Sequence, residues 1–484
     1  MILVRSGSVI GIDGFLVDVE VDVRPGLPGF EIVGLPSKAV KESRERVRSA
    51  LRNSNYRFPA QKVVVNLAPA HYRKDGVLFD LPIAIGILAH LGVISSDKIG
   101  RLLFAGELSL GGALKPITGV LSLAHLAHQQ DLGLVLPAAN DQEMALVHIE
   151  QPVIAVSSLT ELVQILNGQK QPQRLRKSNF SPKVPEYSGP PIKGQYQAKR
   201  ALTIGAAGGH HIMLIGPPGV GKTLLAKSAH SLLPPLSIDE ALEVSKVYGA
   251  SNTFQHEQRL VTQRPFRSPH HTSSKVALIG GGSKGKPGEV TLAHNGILLL
   301  DEFPEFNTAA LQALREPLDS KRVEIARAHY TITYPADFWL IATANPCPCG
   351  YLGSKVRMCT CSTSDINRYQ RKLSGPLLDR FELFCFLEPL SEAELTGAAH
   401  DMDWPPKSSP NRVNIPKSQI DVDPKAKQFL LSAQNKLQLS VRGYAAAIRV
   451  AKTIAQLEKE HTVQVEHIGE ALQYRSESHM PFLR

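Results

Sequence analysis

The chain has 484 residues, 43% of them hydrophobic and 20% charged, a balance that suits a folded globular protein and excludes a disordered one. Its five cysteines are too sparse for a disulfide scaffold, and it lacks any run of the roughly 18 apolar residues that a membrane-spanning helix needs. The formal charge of +10 favours a polyanionic partner, because releasing counterions from phosphates drives binding whatever the base sequence.

The opening stretch, MILVRSGSVIGIDGFLVDV, has no positive leader followed by an unbroken apolar run, so a cytoplasmic protein without a membrane partner is expected. Residues 1–167 alternate Val/Ile-rich runs (Phe15 to Val21, Lys62 to Leu67) with helical stretches such as Lys38 to Leu51, which predicts an α/β domain. The strings KDGVLFDL (74–81) and GELSLGGALKPITGVLSLAHLA (106–127) resemble the proteolytic domain of Lon proteases, which implies a ribosomal-protein-S5-like α/β fold. Peptide hydrolysis of that kind needs a serine activated by a lysine. Leu78 and Leu123 stand at the matching positions, so a degenerate domain used for assembly or ligand binding is expected.

Residues 168–191 are polar, basic and proline-rich, the texture of a linker. From 192 to 390, apolar strand-like runs alternate with helices, which predicts a parallel sheet covered on both faces. Within it, Gly216-Pro217-Pro218-Gly219-Val220-Gly221-Lys222-Thr223 lies between a strand, Ile212 to Ile215, and a helix from Leu224. Such a loop turns backbone N–H groups and a helix N-terminus toward a phosphate chain. Lys222 is then expected to reach the β- and γ-phosphates of ATP, and Thr223 to hold Mg²⁺ through its hydroxyl. Downstream, Asp301 and Glu302 follow the apolar run Ile297 to Leu300, placing a metal-binding carboxylate and a general base at one strand end. Asn345 ends the next such run and is expected to orient the attacking water.

Phosphate loop, acidic pair and terminal asparagine in this order resemble AAA+ ATPases. The strings RPFRSPHHTSSKVALIGGG (264–282), PGEVTLAHNGILLLDEFPEF (287–306), NPCPCGY (345–351) and SGPLLDRFEL (374–383) are similar to the magnesium-chelatase-related branch, especially the ComM/YifB family. The resemblance implies a homohexameric ring in which a neighbour's arginine completes each site. Arg380 matches that finger, Arg442 the second sensor arginine in a helical lid (391–484), and Lys193-Gly194-Gln195 the adenine-pocket stretch. It also implies pore-lining insertions that would set Lys284, Lys286, Arg327 and His329 against a DNA backbone.

Cys347-x-Cys349 and Cys359-x-Cys361, nine residues apart, offer four thiolates, the set of a closed structural zinc site. The function that the resemblance implies is an ATP-dependent DNA translocase or helicase acting on single-stranded and branched DNA. It would promote branch migration during natural transformation and meet a recombination partner through the N-terminal domain. Two other readings stand beside it: a chelatase motor subunit, and an ATP-gated scaffold that recruits a partner.

Overall fold

The computed structural model describes residues 1–70, 72, 74, 76–144, 147, 151–173, 181–251, 260–282, 285–327, 331–354, 357–372, 377–391, 394, 404–406, 421–437 and 439–475. The chain forms two compact units. The first comprises Met1–Ser181, Ile238–Val261 and Ala326–Ile332; the second comprises Pro182–Ser237, Thr262–Ile325 and Thr333–Arg484.

In the first unit a mixed seven-stranded sheet is built from β1 (Ile2–Ile10), β2 (Asp13–Arg24), β3 (Gly29–Val33), β4 (Lys62–Ala68), β5 (Leu102–Phe104), β8 (Gly133–Pro137) and β9 (Val153–Val156), in the order β3-β4-β2-β1-β5-β8-β9. A separate short ladder joins β6 (Glu107–Leu108) to β7 (Leu114–Lys115). The period-2 pattern of β4 buries Val63, Val65 and Leu67. The helix Asp80–His90 is buried along almost its whole length, as its sequence DLPIAIGILAH requires. Its first residue, Asp80, is fully buried and takes a fork from Arg46 at 2.7 and 3.0 Å. Leu78 and Leu123 both belong to this hydrophobic core.

In the second unit β10 (Ile212–Ile215), β11 (Phe266–Arg267), β14 (Ile297–Leu300), β17 (Trp339–Ala344) and β18 (Leu383–Phe386) form a sheet in the order β11-β14-β17-β10-β18, with every pair parallel. Parallel strands covered on both faces read as continuous apolar runs, and every residue of β10, β14 and β17 is buried. A small ladder, β12 (Gly280–Gly281) with β13 (Lys286–Pro287), is separate from this sheet; β15 (Arg322–Ala326) and β16 (Thr331–Pro335), which flank the segment Ala326–Ile332 grouped with the first unit, form another two-stranded ladder.

The helices Pro424–Leu437, Val441–Leu457 and Val465–Gln473 follow, and their apolar stripes join the core of the second unit. Polar anchors fix them there. Arg200 grips Glu470 with two bonds of 2.9 and 3.0 Å. His210, 2% exposed, bonds Thr453 Oγ1 at 2.7 Å through Nε2 and Glu382 through Nδ1, while Arg449 Nε donates to Glu382 Oε1 at 2.9 Å. Of this group His210 is fully buried, so its two ring nitrogens depend on Thr453 and Glu382 for partners, whereas Arg449 stays half-exposed.

Candidate functional site

Register places the candidate residues. Ile215 pairs with Ala344 across β10 and β17, and Leu300 pairs with Ala342 across β14 and β17. The carboxyl ends of three adjacent strands therefore emerge side by side, delivering Gly216, Asp301 and Asn345 to one edge of the sheet, where ligands of open parallel sheets bind.

The loop from Gly216 to Thr223 leaves β10 and enters the helix Lys222–Ser228. Gly221 caps that helix with φ +90°, a left-handed conformation that a side chain would oppose. Lys222 Nζ donates to the carbonyls of Gly216 (2.7 Å) and Pro217 (2.8 Å) and to Asn345 Oδ1 (2.9 Å). Burial pushes its ammonium down to about 8, and the Asp301 and Glu302 carboxylates oppose that fall. Thr223 Oγ1 lies 3.0 and 3.1 Å from the two carboxylate oxygens of Asp301. A hydroxyl and a carboxylate so placed, beside a loop carrying a lysine, fit a hydrated divalent cation bound with a phosphate chain.

Glu302 takes the left-handed conformation (φ 56°, ψ 49°), uncommon for a side chain of its size, and its side chain is 59% exposed. Its N–H donates to Thr343 Oγ1 at 3.0 Å, and Thr343 Oγ1 in turn donates to Asp301 Oδ1 at 2.5 Å. His271 Nδ1 lies 3.5 Å from Glu302 Oε2. Neither Thr343 nor His271 was singled out from sequence. The register between β14 and β17 is the signal that finds Thr343, because the residue after Ala342 must lie beside the residue after Leu300.

The remaining candidates are distributed as follows. Gln195 Nε2 donates to Glu388 O at 2.8 Å and to Val220 O of the phosphate loop at 3.5 Å; Gly194 is buried beside it, and Lys193 is exposed. Arg380 is engaged within its own chain: Nε donates to Asp319 Oδ1 at 3.1 Å, Nη2 bonds Asp319 Oδ2, and its side chain is 8% exposed. Arg442 is exposed in the first turn of the helix Val441–Leu457. Lys286 is exposed on β13 and Arg327 is half-buried just past β15, whereas Lys284 and His329 lie outside the described residues.

The sulfur atoms of Cys347, Cys349, Cys359 and Cys361 all lie within 4.8 Å of one another. Cys347 to Cys349 measures 3.4 Å, Cys347 to Cys359 3.6 Å and Cys349 to Cys359 3.5 Å, too long for disulfides. Backbone N–H groups already point at the sulfurs, Leu352 at Cys347 and Cys349 at Cys361, both at 3.3 Å. Cys385 is separate and buried, and its burial pushes the thiol up to about 12. A cavity of 150 Å³ lined by His211, Arg264, Asn295, Asp337 and Trp339 adjoins the amino ends of β10, β14 and β17, the end of the sheet remote from the phosphate loop.

Residues 190–395 match the family described as magnesium chelatase, subunit ChlI; residues 19–140 match subunit ChlI of Mg-chelatase, and 410–475 its C-terminal part. Fold and strand-end constellation thus define a magnesium-chelatase-related AAA+ protein. The chain is 40% identical to the competence protein ComM of Haemophilus influenzae and 38% identical to YifB of Escherichia coli, in each case over 98% of this chain and 97% of the relative. It belongs to the ComM/YifB family. A more remote likeness, 25% identity over 62% of this chain and 41% of the relative, joins it to the DNA replication licensing factor mcm7 of Schizosaccharomyces pombe.

Proposed function

We propose that this chain is an ATP-hydrolysing motor that assembles as a ring, hexameric by the family resemblance, and moves along DNA, promoting branch migration as incoming strands are integrated. The observation that carries the ATPase reading is the convergence of Lys222, Thr223, Asp301 and Asn345 at the ends of three parallel strands. Thr223 and Asp301 would hold Mg²⁺, which supplies neutralisation of the phosphate charge. Lys222 binds the phosphates, Glu302 removes the proton of the attacking water, and Asn345 orients that water. Gln195, with Lys193 and Gly194, lines the adenine side of the loop. Arg380 of a neighbouring copy stabilises charge on the transferred phosphoryl group, with Arg442 assisting from the helices after 391.

Support for DNA as the track comes from the relatives, one named as a competence protein and another as a DNA replication licensing factor. The chain's charge of +10 agrees with such a track. Lys284, Lys286, Arg327 and His329 would touch phosphates rather than bases, so binding is independent of sequence and weakens with salt. Residues 1–167 serve as a Lon-like, S5-like domain without a catalytic dyad and recruit a recombination partner; residues 168–191 link them to the motor (192–390) and its helical lid (391–484). The four cysteines serve as a structural zinc site. Their sulfur separations approach the value of about 3.8 Å set by tetrahedral Zn–S bonds of about 2.3 Å.

The test is ATP hydrolysis with and without single-stranded and forked DNA, beside Glu302→Gln. DNA-stimulated hydrolysis and unwinding that disappear in the variant are expected. Absence of DNA binding refutes the translocase. The chelatase family matches favour one competing reading, which stimulation by a porphyrin would reveal.

A further inference from the structure

The cavity of 150 Å³ borders the amino ends of β10, β14 and β17, at the opposite end of the sheet from Lys222 and Asp301. Ala206, Leu233, Leu318, Phe338 and Trp339 give it apolar and aromatic walls. Protein interiors are close-packed, so a space with such walls forfeits contacts unless something fills it. An apolar cavity of about 150 Å³ holds one benzene ring.

Backbone geometry keeps the space open. The helices Tyr196–Gly208 and Arg315–Ser320 both end at it, and the residues that stop them, Gly209 and Lys321, have φ of +68° and +57°. Asn295, two residues before β14, has φ +56°. A left-handed lysine is sterically costly, and residues held in such conformations gather at functional sites. A Cβ added to Gly209 would meet no atom within 4 Å.

Charge around the cavity is already balanced. Arg264, 5% exposed, donates to the carbonyls of Pro234 (2.6 Å), Asn295 (2.7 Å) and Pro235 (3.3 Å). Lys321 Nζ meets Asp337 Oδ2 at 2.8 Å, and both side chains remain partly exposed. His211, half-buried on the lining, is different. Its Nδ1 accepts the N–H of Leu340 at 3.1 Å, which puts the ring proton on Nε2. Burial pushes the imidazole down to about 4, so at pH 8 it is neutral. Nε2–H has no partner among the described residues and is not sealed from solvent. It is a donor for whatever fills the cavity.

We propose that this cavity binds a small neutral heteroaromatic ring that accepts a hydrogen bond from His211 Nε2. With Arg264 and Lys321 already paired, neither a carboxylate nor an ammonium would find an uncompensated partner. A flat ring suits the walls that Phe338 and Trp339 supply, and one ring nitrogen or carbonyl oxygen suits His211. The site is separate from the phosphate loop, so ring and nucleotide are held together, and it stands whether or not the chain hydrolyses ATP.

The experiment uses the full chain at pH 8 with Trp404→Phe, which leaves Trp339 as its one tryptophan. Pyridine is the probe, and benzene is the control that lacks an acceptor. Trp339 emission and the thermal midpoint are followed in this chain and in the same chain carrying either His211→Asn or Leu318→Phe. The first keeps an acceptor for Leu340 N–H but has no Nε2–H; the second fills the space. Saturable binding of one pyridine with a Kd of about 1 mM or below is expected, unaffected by saturating ATP. His211→Asn should weaken pyridine by about 5-fold and leave benzene within about 2-fold. Leu318→Phe should weaken both by about 10-fold or more. No saturable binding, displacement of pyridine by ATP, or pyridine binding unchanged in Leu318→Phe overturns the site. Equal loss of pyridine and benzene in His211→Asn overturns the hydrogen bond and with it the class of ligand. Leu318 is half-buried, so its variant decides the site even where His211→Asn fails to fold.

Discussion

Lys222 and Asn345, 123 residues apart in the chain, meet side chain to side chain at 2.9 Å. Asn345 Oδ1 thereby accepts one of the three protons of an ammonium that also donates to two carbonyls of its own loop. Burial has pushed that ammonium down to about 8. Below this value Lys222 is charged and can pair with a phosphate; above it the neutral amine cannot. The KM for ATP is therefore expected to stay flat from pH 6.5 to about 8 and then rise toward tenfold per pH unit, with proton uptake on binding. The stability of the free protein runs the opposite way. Between about 8 and 10.5 the unfolded chain binds the extra proton, so this group's contribution to stability grows as pH rises. A KM that does not change to pH 9.5 would show that Lys222 is not the phosphate ligand.

Glu302→Gln keeps size and exposure but removes the base. Because Glu302 stands on the surface of the site and makes no bond to the loop from Gly216 to Thr223 among those described, nucleotide affinity should be preserved. Turnover should fall by about 10² to 10⁴. Lys222→Ala should do the reverse and abolish binding first. Single-turnover hydrolysis beside analogue binding separates the two, and equal loss of affinity in both variants refutes the assignment of Glu302 as base.

Much of this site can be read in the sequence, for a physical reason. The loop, the acidic pair and Asn345 each follow an apolar run, and in a parallel sheet such runs end at one edge. Helices in the stretch after 391 are equally legible from their 3.6-residue stripes, and the structure has them at Pro424–Leu437, Val441–Leu457 and Val465–Gln473. What local pattern could not supply was contact across long separations. His271 reads as half of a histidine pair and Asp319 as an acid near a helix end; only the fold brings them to Glu302 and Arg380. The same limit applies to the grouping of Ile238–Val261 and Ala326–Ile332 with the first unit, because each is an excursion from the second that no change of composition marks.

Glu382 joins the sheet to the C-terminal helices, and acid should expose that dependence. Burial raises its carboxyl, but His210 and Arg449 outweigh burial and hold it well below the usual carboxylate range. A carboxylate depressed in the folded state stabilises the protein above its unfolded value of 4.5, and that contribution is lost as pH falls below it. Glu382→Gln should flatten the fall of the urea midpoint between pH 6 and 3. Glu382→Ala leaves the buried His210 Nδ1 without its partner and should cost about 1–3 kcal/mol at neutral pH. A wild type and a glutamine variant with parallel pH profiles would refute the assignment.

Arg380 carries the hardest test of the ring, because it is bonded to Asp319 of its own chain and only 8% exposed. If it acts on a neighbour's nucleotide, Arg380→Ala should lower turnover by about 10³ or more. Lys222→Ala should be equally inactive for a different reason. Mixed in equal amounts, the two defective chains restore about one junction in four by random assembly, where an intact Lys222 loop faces an intact Arg380. ATPase activity should therefore reappear on mixing and depend on protein concentration. Asp319→Ala discriminates further. A residue that only holds Arg380 in its own chain should, when removed, leave turnover in the assembled protein intact or raised, whereas loss of activity on the scale of Arg380→Ala would mean that the pair acts as one unit. No recovery on mixing, with both variants folded and assembled, refutes a site completed by a second copy and leaves Arg380 with a local role beside Asp319.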